Sequence, residues 1–384
     1  MHVADVAAER IGAQVTREHA MPKHNSSKLP FVSVVAPALN CRDDIDPFLA
    51  ALGNQDYPRD LFEVIVADNG STDGTREYLE KTWARSCFCP ERGRARALNA
   101  GLALARGEII CTTDLSCLAE PHWISAIVKA FEEPNVGCVA GDIRLLRREA
   151  GNRIIEFQDR TDYMSPMRAI SRQTFPYMPF ADGANASFRR ALFNEIGGFE
   201  DTFIKAADVE ICYRMFALTD YKIVFDYQAS MQEPGEPTLW ALLHQRYRMG
   251  IGWNLLRTKY PLLFARRSRF TVREFYWSLR EGVTEIGHLV AANARALFGQ
   301  GRNDAYDATI QFLMSWAQSL GRIYGHWHLA RRGIEPMPID ARSQQRLIDS
   351  EGVGDRVVVR GADQTLPTKL LVTNHARAPS EARF

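Results

Sequence analysis

The stretch Gly107–Cys117, GEIICTTDLSC, decides how this chain is read. A helix-like run ends at Arg106-Gly107, an apolar strand covers Glu108 to Thr113, and the strand terminates in an acidic side chain, Asp114. In an open α/β sheet, ligands collect beyond the carboxyl ends of the parallel strands. A carboxylate at that edge is placed to hold a hard cation carrying phosphate oxygens. Upstream, the chain reads as a nucleotide-binding half leading to this strand. Downstream, to about Gly250, it reads as the part that uses the nucleotide.

Working outward toward the N-terminus, FVSVVA at Phe31 to Ala36 is short, apolar and rich in β-branched residues, as a buried strand is, and Pro37 is read as its stop. Ile45, Phe48, Leu49 and Leu52 fall on one helical face behind the capping acids Asp43 and Asp44. A second buried strand, FEVIVA at Phe62 to Ala67, runs into Asp68-Asn69-Gly70-Ser71. Two helices are expected next: one from Thr72 or Asp73 with Tyr78, Leu79 and Trp83 inward, one from Arg94 to Ala105 with Leu98 and Leu102 inward. Strand, helix, strand, helix, helix, strand predicts a parallel sheet with right-handed crossovers.

Toward the C-terminus, Trp123, Ile124, Ile127, Val128 and Phe131 make an apolar helix face, and Val136 to Ala140 a strand. A helix near Ile154 to Tyr163 lies in an otherwise irregular polar stretch. Turn chemistry at Gly183–Phe188 and Gly197-Gly198-Phe199 brackets a helix from Arg189 to Ile196. A helix over Ala206 to Leu218, a strand over Tyr221 to Phe225 and a helix from near Pro237 follow. Beyond Gly252 the chain turns helical and basic, with Arg266, Arg267, Arg269, Arg273 and Arg280 among Phe and Trp. One short strand, Arg356 to Arg360, interrupts a polar end.

The bulk numbers narrow the classes. With 384 residues, 46% hydrophobic and 24% charged, this is an ordinary globular composition, and a net charge of +1 gives no reason to expect nucleic acid as a partner. The first thirty residues carry no apolar core of a signal peptide, and the nearest apolar helical run, Ala308 to Gly321, falls short of the roughly 18 residues a membrane span needs. Cys87 and Cys89 flank Phe88 without a second pair at zinc-ligand spacing, so reduced thiols in a cytoplasmic protein are expected. No Gly-x-Gly-x-x-Gly follows the first strand, which removes a dinucleotide-dependent dehydrogenase. The acidic PALNCRDD there also disfavours a nucleotidyltransferase, which uses a glycine- and basic-rich loop.

The motifs gather into one ordered pattern: PALN at 37–40, QDYP at 55–58, EVIVADNGSTDGT at 63–75, GRARALNAGLALARGEII at 93–110, TTDLSC at 112–117, GANASFRR at 183–190, IGGFED at 196–201, ADVEICYR at 207–214 and QRYRMG at 245–250. This pattern resembles the family 2 inverting glycosyltransferases over about residues 31 to 252. The resemblance implies the GT-A fold, a Rossmann-like three-layer α/β architecture, here with a C-terminal helical extension. The expected division is a polar leader at 1–29, a GT-A domain at 30–252 with a nucleotide-binding half at 30–117 and an acceptor and catalytic half at 118–252, a basic aromatic helical extension at 253–335, and a polar tail at 336–384.

The resemblance also implies roles. Pro37 and Ala38 lie on the loop that meets the nucleotide, Asp68 is the acid that reads the base, and Arg94 and Arg96 line base and diphosphate. Asp114 matches the first acid of the metal-binding Asp-x-Asp pair, with Ser116 in the second place. Asp208 matches the catalytic base, with Ala207 where Glu is common, and Glu210 is the alternative, about 200° round the helix. Gln245 and Arg248 match Gln-x-x-Arg-Trp, with Met249 in the Trp place. The expected reaction moves a sugar from a nucleoside-diphosphate sugar, UDP first among the candidates, to an acceptor hydroxyl with inversion, in single additions. A Mn²⁺ or Mg²⁺ ion is the implied cofactor, brought into question by Ser116. The acceptor is a glycan or a lipid-linked sugar, with peripheral contact at the inner membrane face through 266–330. The rival is a non-catalytic sugar-nucleotide or glycan-binding protein.

Overall fold

Successive strand side chains point to opposite faces, so a strand apolar at nearly every position must be covered on both. Val32–Ala38 (β1), Phe62–Asp68 (β2) and Ile109–Thr113 (β4) are of this kind and are almost wholly buried in the computed structural model. The structure describes residues 29–146, 151–166, 177–264, 286–287, 289–291, 293–294, 302–333, 336, 338–349 and 354–361. Arg266, Arg267, Arg269, Arg273 and Arg280, the leader up to residue 28, and the tail beyond residue 361 lie outside them.

The other strands are Arg85–Phe88 (β3), Leu118–Ala119 (β5), Val136–Leu146 (β6), Asn185–Arg189 (β7), Lys222–Pro234 (β8) and Val357–Arg360 (β9). The sheet runs β3-β2-β1-β4-β7-β6-β8, and the outer edge of β8 is shared by β9, against Ile223–Asp226, and by β5, against Met231 and Gln232. The helices are α1 Ile45–Gly53, α2 Thr75–Leu79, α3 Arg94–Leu104, α4 Trp123–Ala130, α5 Arg153–Arg160, α6 Arg190–Ile196, α7 Ala207–Leu218, α8 Leu239–Lys259, α9 Arg302–Arg332 and α10 Ala341–Asp349.

The alternation within β1 divides the core. Val32, Val34 and Ala36 face α1 and α4, joined by Val64, Val66, Cys111 and Trp123. Val35 faces the opposite way, with Ile65, Ile110, Phe188 and Phe225, against α3, α6, α7 and α10. Helix, sheet, helix is the three-layer arrangement expected. All seven cysteines are free.

Four expectations are corrected. β1 does not stop at Pro37 but runs on to Ala38, in register with Ala67 and Asp68 of β2. The Ala38 carbonyl accepts from Asn69 N on the β2 side, so Pro37, one residue back, faces β4, where pairing has already ended at Val35–Thr112. Its missing N–H therefore leaves no ladder bond unmade. Second, β3 is a strand that RSCF, with its exposed pattern, does not announce. Third, the sheet is mixed: β7 lies antiparallel between β4 and β6, pairing Ala186 with Thr112 and with Ala140. Its small residues carry no periodicity of large side chains, so NASFR reads as a turn.

Fourth, part of the polar end returns to the core. β9 extends the sheet, and α10 packs on α7 with Gln344 buried, accepting from Leu262 N and donating to the Ile339 carbonyl. Helices α8 and α9 cross closely, because Gly250, Gly321 and Gly325 present no side chain at the contact. Among the described residues no helix is long and apolar enough to cross a membrane.

Candidate active site

The carboxyl ends of β1 and β2 carry the loops expected to meet a nucleotide. Ala38 and Asp68 are register partners, with Pro37 alongside. Asp68 is buried, and its carboxylate accepts from Gly70 N (3.3 Å) and Ser71 N (3.2 Å), which fixes the turn after β2. Asn69 ties that turn to the next loop: its amide donates to the Cys89 and Glu91 carbonyls, and its Oδ1 accepts from Gly93 N at 2.7 Å. Asn40, held at φ 53°, accepts from Thr72 N at 2.8 Å. Three loops are thus knitted around one edge, and the bond to Gly93 sets where α3 begins.

Arg94 opens α3 and reaches the end of β4, donating to Asp114 Oδ1 through Nη2 (2.8 Å) and Nε (3.2 Å). The polypeptide at Gly183 closes over it, so near that a Cβ there would lie 2.6 Å from Arg94 Nη1. On its other side, Gly183 N donates to Asp208 Oδ2 at 2.9 Å. Asp208 stands in the first turn of α7, where the positive end of the helix dipole favours a carboxylate. Ala206, just before that helix, adopts a left-handed φ of 65°, a conformation that costs a non-glycine residue about 1 kcal/mol or more. Strands β4 and β7 and the start of α7 therefore converge, placing Asp114, Arg94, Gly183 and Asp208 in one chain of contacts.

Three further charged groups join this site that the sequence reading does not name. Burial pushes the Asp182 carboxyl up to about 6, with neighbouring Asp208 adding to the effect. Burial likewise pushes Glu233 up to about 8, reinforced by Asp182 and Asp114 and opposed by Arg94. Lys205 is held below the usual ammonium range by burial first, then by Arg248 and Arg94. Burial alone would weaken the Arg94 cation, but Asp114 and Asp208 more than offset it. Asp182 directly precedes the Gly183 motif, a usable signal. Lys205 and Glu233 carry none, being brought in by a loop and by the far end of β8.

The remaining expected residues divide. Arg96 turns to the other side of α3, paired with Glu91 at 2.9 Å and within 3.9 Å of Asp201, so α3 sends only Arg94 toward Asp114. Gln245 accepts from the Tyr163 hydroxyl at 2.6 Å, and the Arg246 guanidinium lies over the same ring. Arg248 is exposed, on the side of α8 near Lys205. Glu210 is fully buried away from Asp208, between Arg214 (2.8 Å) and Lys259 (3.0 Å), with Tyr260 at 3.3 Å. It belongs to a structural ion network.

The donor set does not fit a divalent cation held by the protein. Such ions take about six oxygen ligands, and Asp114 Oδ1 already carries a guanidinium while Ser116 offers only a neutral hydroxyl. Among the described residues no three His, Cys, Asp or Glu side chains are arranged to hold a metal.

Comparison with known proteins follows this geometry. The family model for glycosyl transferase family 2 matches residues 33–197, and that for glycosyl transferase family group 2 matches residues 116–317. Glycosyltransferase AglE of Haloferax volcanii is 28% identical over 252 residues, covering 62% of this chain and 80% of its own. A beta-monoglucosyldiacylglycerol synthase of Nostoc sp. is 26% identical over 254 residues, 63% of this chain and 53% of its own length, so the chain spans only about half of that relative. Among solved structures, a mannosyltransferase from Pyrobaculum calidifontis in complex with GDP-Man and Mn²⁺ superposes with a TM-score of 0.54 at 24% identity, over 79% of this chain and 88% of that one. That likeness is one of fold.

Proposed function

The chain belongs to glycosyl transferase family 2, and from that premise we propose that it moves a sugar from a nucleoside-diphosphate sugar to an acceptor hydroxyl with inversion at the anomeric carbon. The observation that carries this reading is the Asp208 carboxylate, fixed by Gly183 N at 2.9 Å on the rim that also bears Asp114 and Arg94. In a direct displacement one base suffices. Asp208 takes the proton of the acceptor hydroxyl as its oxygen bonds to the anomeric carbon, and the bond to the diphosphate breaks on the opposite face. A positioned base of this kind contributes about 100- to 10,000-fold.

In this reading the three knitted loops hold the nucleoside: Pro37 and Ala38 border it, and Asp68 meets the base or ribose, with UDP as the first candidate. Residues 30–117 form the donor half and 118–252 the acceptor half. Lys205 and Arg248 face the diphosphate, and Arg96 and Gln245, engaged with Glu91 and with the Tyr163 hydroxyl, act from a distance.

A lipid-linked acceptor fits one further observation. Trp316, Leu320, Ile323, Tyr324 and Trp327 are exposed along one face of α9, and the Arg331 guanidinium lies over the Trp327 ring at 3.8 Å. Exposed Trp and Tyr beside Arg suit the headgroup zone of an anionic bilayer, which supports peripheral contact at the inner membrane face. Flotation with anionic vesicles tests it: protein that stays at the bottom of the gradient removes the membrane from this reading.

The test of the reaction is release of nucleotide from a panel of UDP-, GDP- and dTDP-sugars, followed by acceptor trials on glycans and lipid-linked sugars. Selective release from one donor is expected. Donor binding with no turnover on any acceptor would favour a sugar-nucleotide-binding protein instead.

A further inference from the structure

The site departs from a metal-dependent plan at two positions. Ser116 has removed the second acid, and Arg94 has placed a guanidinium on the first. We propose that Arg94 stands in the position of the divalent cation, so that this chain binds the donor's diphosphate and releases the nucleotide without a metal ion. The inference rests on the glycosyltransferase reading above and adds what neutralises the leaving group.

The geometry argues for it in four steps. A guanidinium has five N–H donors in a planar fork. Nε and one Nη2 hydrogen are spent on Asp114, which leaves the Nη1 pair and one more hydrogen for phosphate oxygens, a bidentate match that a single ammonium lacks. Arg94 is also fixed from behind. Gly93, at φ 146°, donates to Asn69 Oδ1, so the turn that follows Asp68 determines where the arginine emerges.

Room has been left for it as well. Gly183 is not at a left-handed φ, so no backbone conformation demands glycine there; what a side chain would meet is the Arg94 guanidinium, at 2.6 Å. Finally, both Arg94 bonds fall on Asp114 Oδ1, so a divalent ion taking the other oxygen would sit beside a permanent cation, with like-charge repulsion in a half-buried site. Asp114 in this arrangement positions Arg94 and is not a metal ligand.

The experiment is calorimetric binding of UDP, GDP and dTDP, and of uridine, guanosine and thymidine, to the full chain in excess EDTA or in Mn²⁺. The variants are Arg94→Met and Gly183→Ala, the second displacing the guanidinium while leaving the arginine in the chain. For the preferred diphosphate, wild-type affinity in EDTA is expected within about threefold of that in Mn²⁺. Arg94→Met should weaken the diphosphate about 10- to 100-fold and its nucleoside hardly at all, with Gly183→Ala moving the same way. A larger loss on chelation, or unchanged diphosphate affinity in Arg94→Met, overturns the proposal while leaving glycosyl transfer intact. No binding of any diphosphate in either condition overturns both.

Discussion

Asp208 and Glu210 stand two residues apart on α7 and point to opposite sides of it: Asp208 accepts from Gly183 N on the site's rim, whereas Glu210 is wholly buried with Lys259 Nζ at 3.0 Å. A separation of about 200° round the helix makes the two roles exclusive. Only the first carboxylate lies on the rim beside Gly183. The second holds α7 against the end of α8.

Replacement of Asp208 by Asn keeps an acceptor for Gly183 N and removes the base. Turnover should fall about 100- to 10,000-fold, with donor affinity and thermal midpoint close to wild type. Steady-state rates beside calorimetric donor binding check this. Near-full turnover would return the proton to another group.

Glu210→Gln should act on stability. It leaves Lys259, only 7% exposed, with Glu200 as its remaining carboxylate at 2.7 Å, and weakens the bond to Arg214. Breaking a buried pair of this kind costs about 3–5 kcal/mol. Urea unfolding measures it, and the folded fraction should keep its wild-type turnover.

The pH dependence of stability has opposite signs at two places. Asp182 and Glu233 are raised to about 6 and about 8, burial being the first cause, so they disfavour the charged form in the folded state. Their contribution is complete below the unfolded value of about 4 and is lost as pH rises through 6 and 8. Glu63 runs the other way: burial raises it, but bonds from Ser33, Arg106 and Arg85 outweigh burial and hold it low. Its contribution is present above the unfolded value and lost in acid. The thermal midpoint should therefore be highest near pH 5 and decline toward pH 9, and Glu233→Gln should flatten the upper part of that decline.

Gly321→Ala should separate α8 from α9. A Cβ at 321 would strike the Tyr247 carbonyl, which is main chain and cannot rotate aside. Overpacking of this sort costs about 1–3 kcal/mol. Because α8 carries Gln245 and Arg248, donor affinity should weaken together with the denaturation midpoint. A midpoint within error of wild type would mean that the two helices slide freely.

Much of the donor edge was legible in the chain itself, because it depends on local rules. A buried strand that ends in an acid marks its own carboxyl terminus, which located Asp68 and Asp114, whereas Asp208 was picked out by the resemblance of ADVEICYR to the family pattern. Helical geometry alone already separated Asp208 from Glu210. Three strands stayed hidden, β3, β5 and β7, since their pairing comes from neighbours distant in sequence and not from their own side-chain pattern.

What the sequence by itself determined is therefore the order of the strongly periodic elements, the carboxyl edge of the parallel strands and the acids Asp68 and Asp114 on that edge, all consequences of hydrophobic periodicity and of end signals within some ten residues. Only the tertiary structure decided which charges meet. Arg94 and Asp114 are 20 residues apart, Gly183 and Asp208 are 25 apart, and Glu233 comes from the end of a different strand. Periodicity records that a face is buried and not what buries it; ion pairs form across that packed interface, so their partners exist only once the layers have closed.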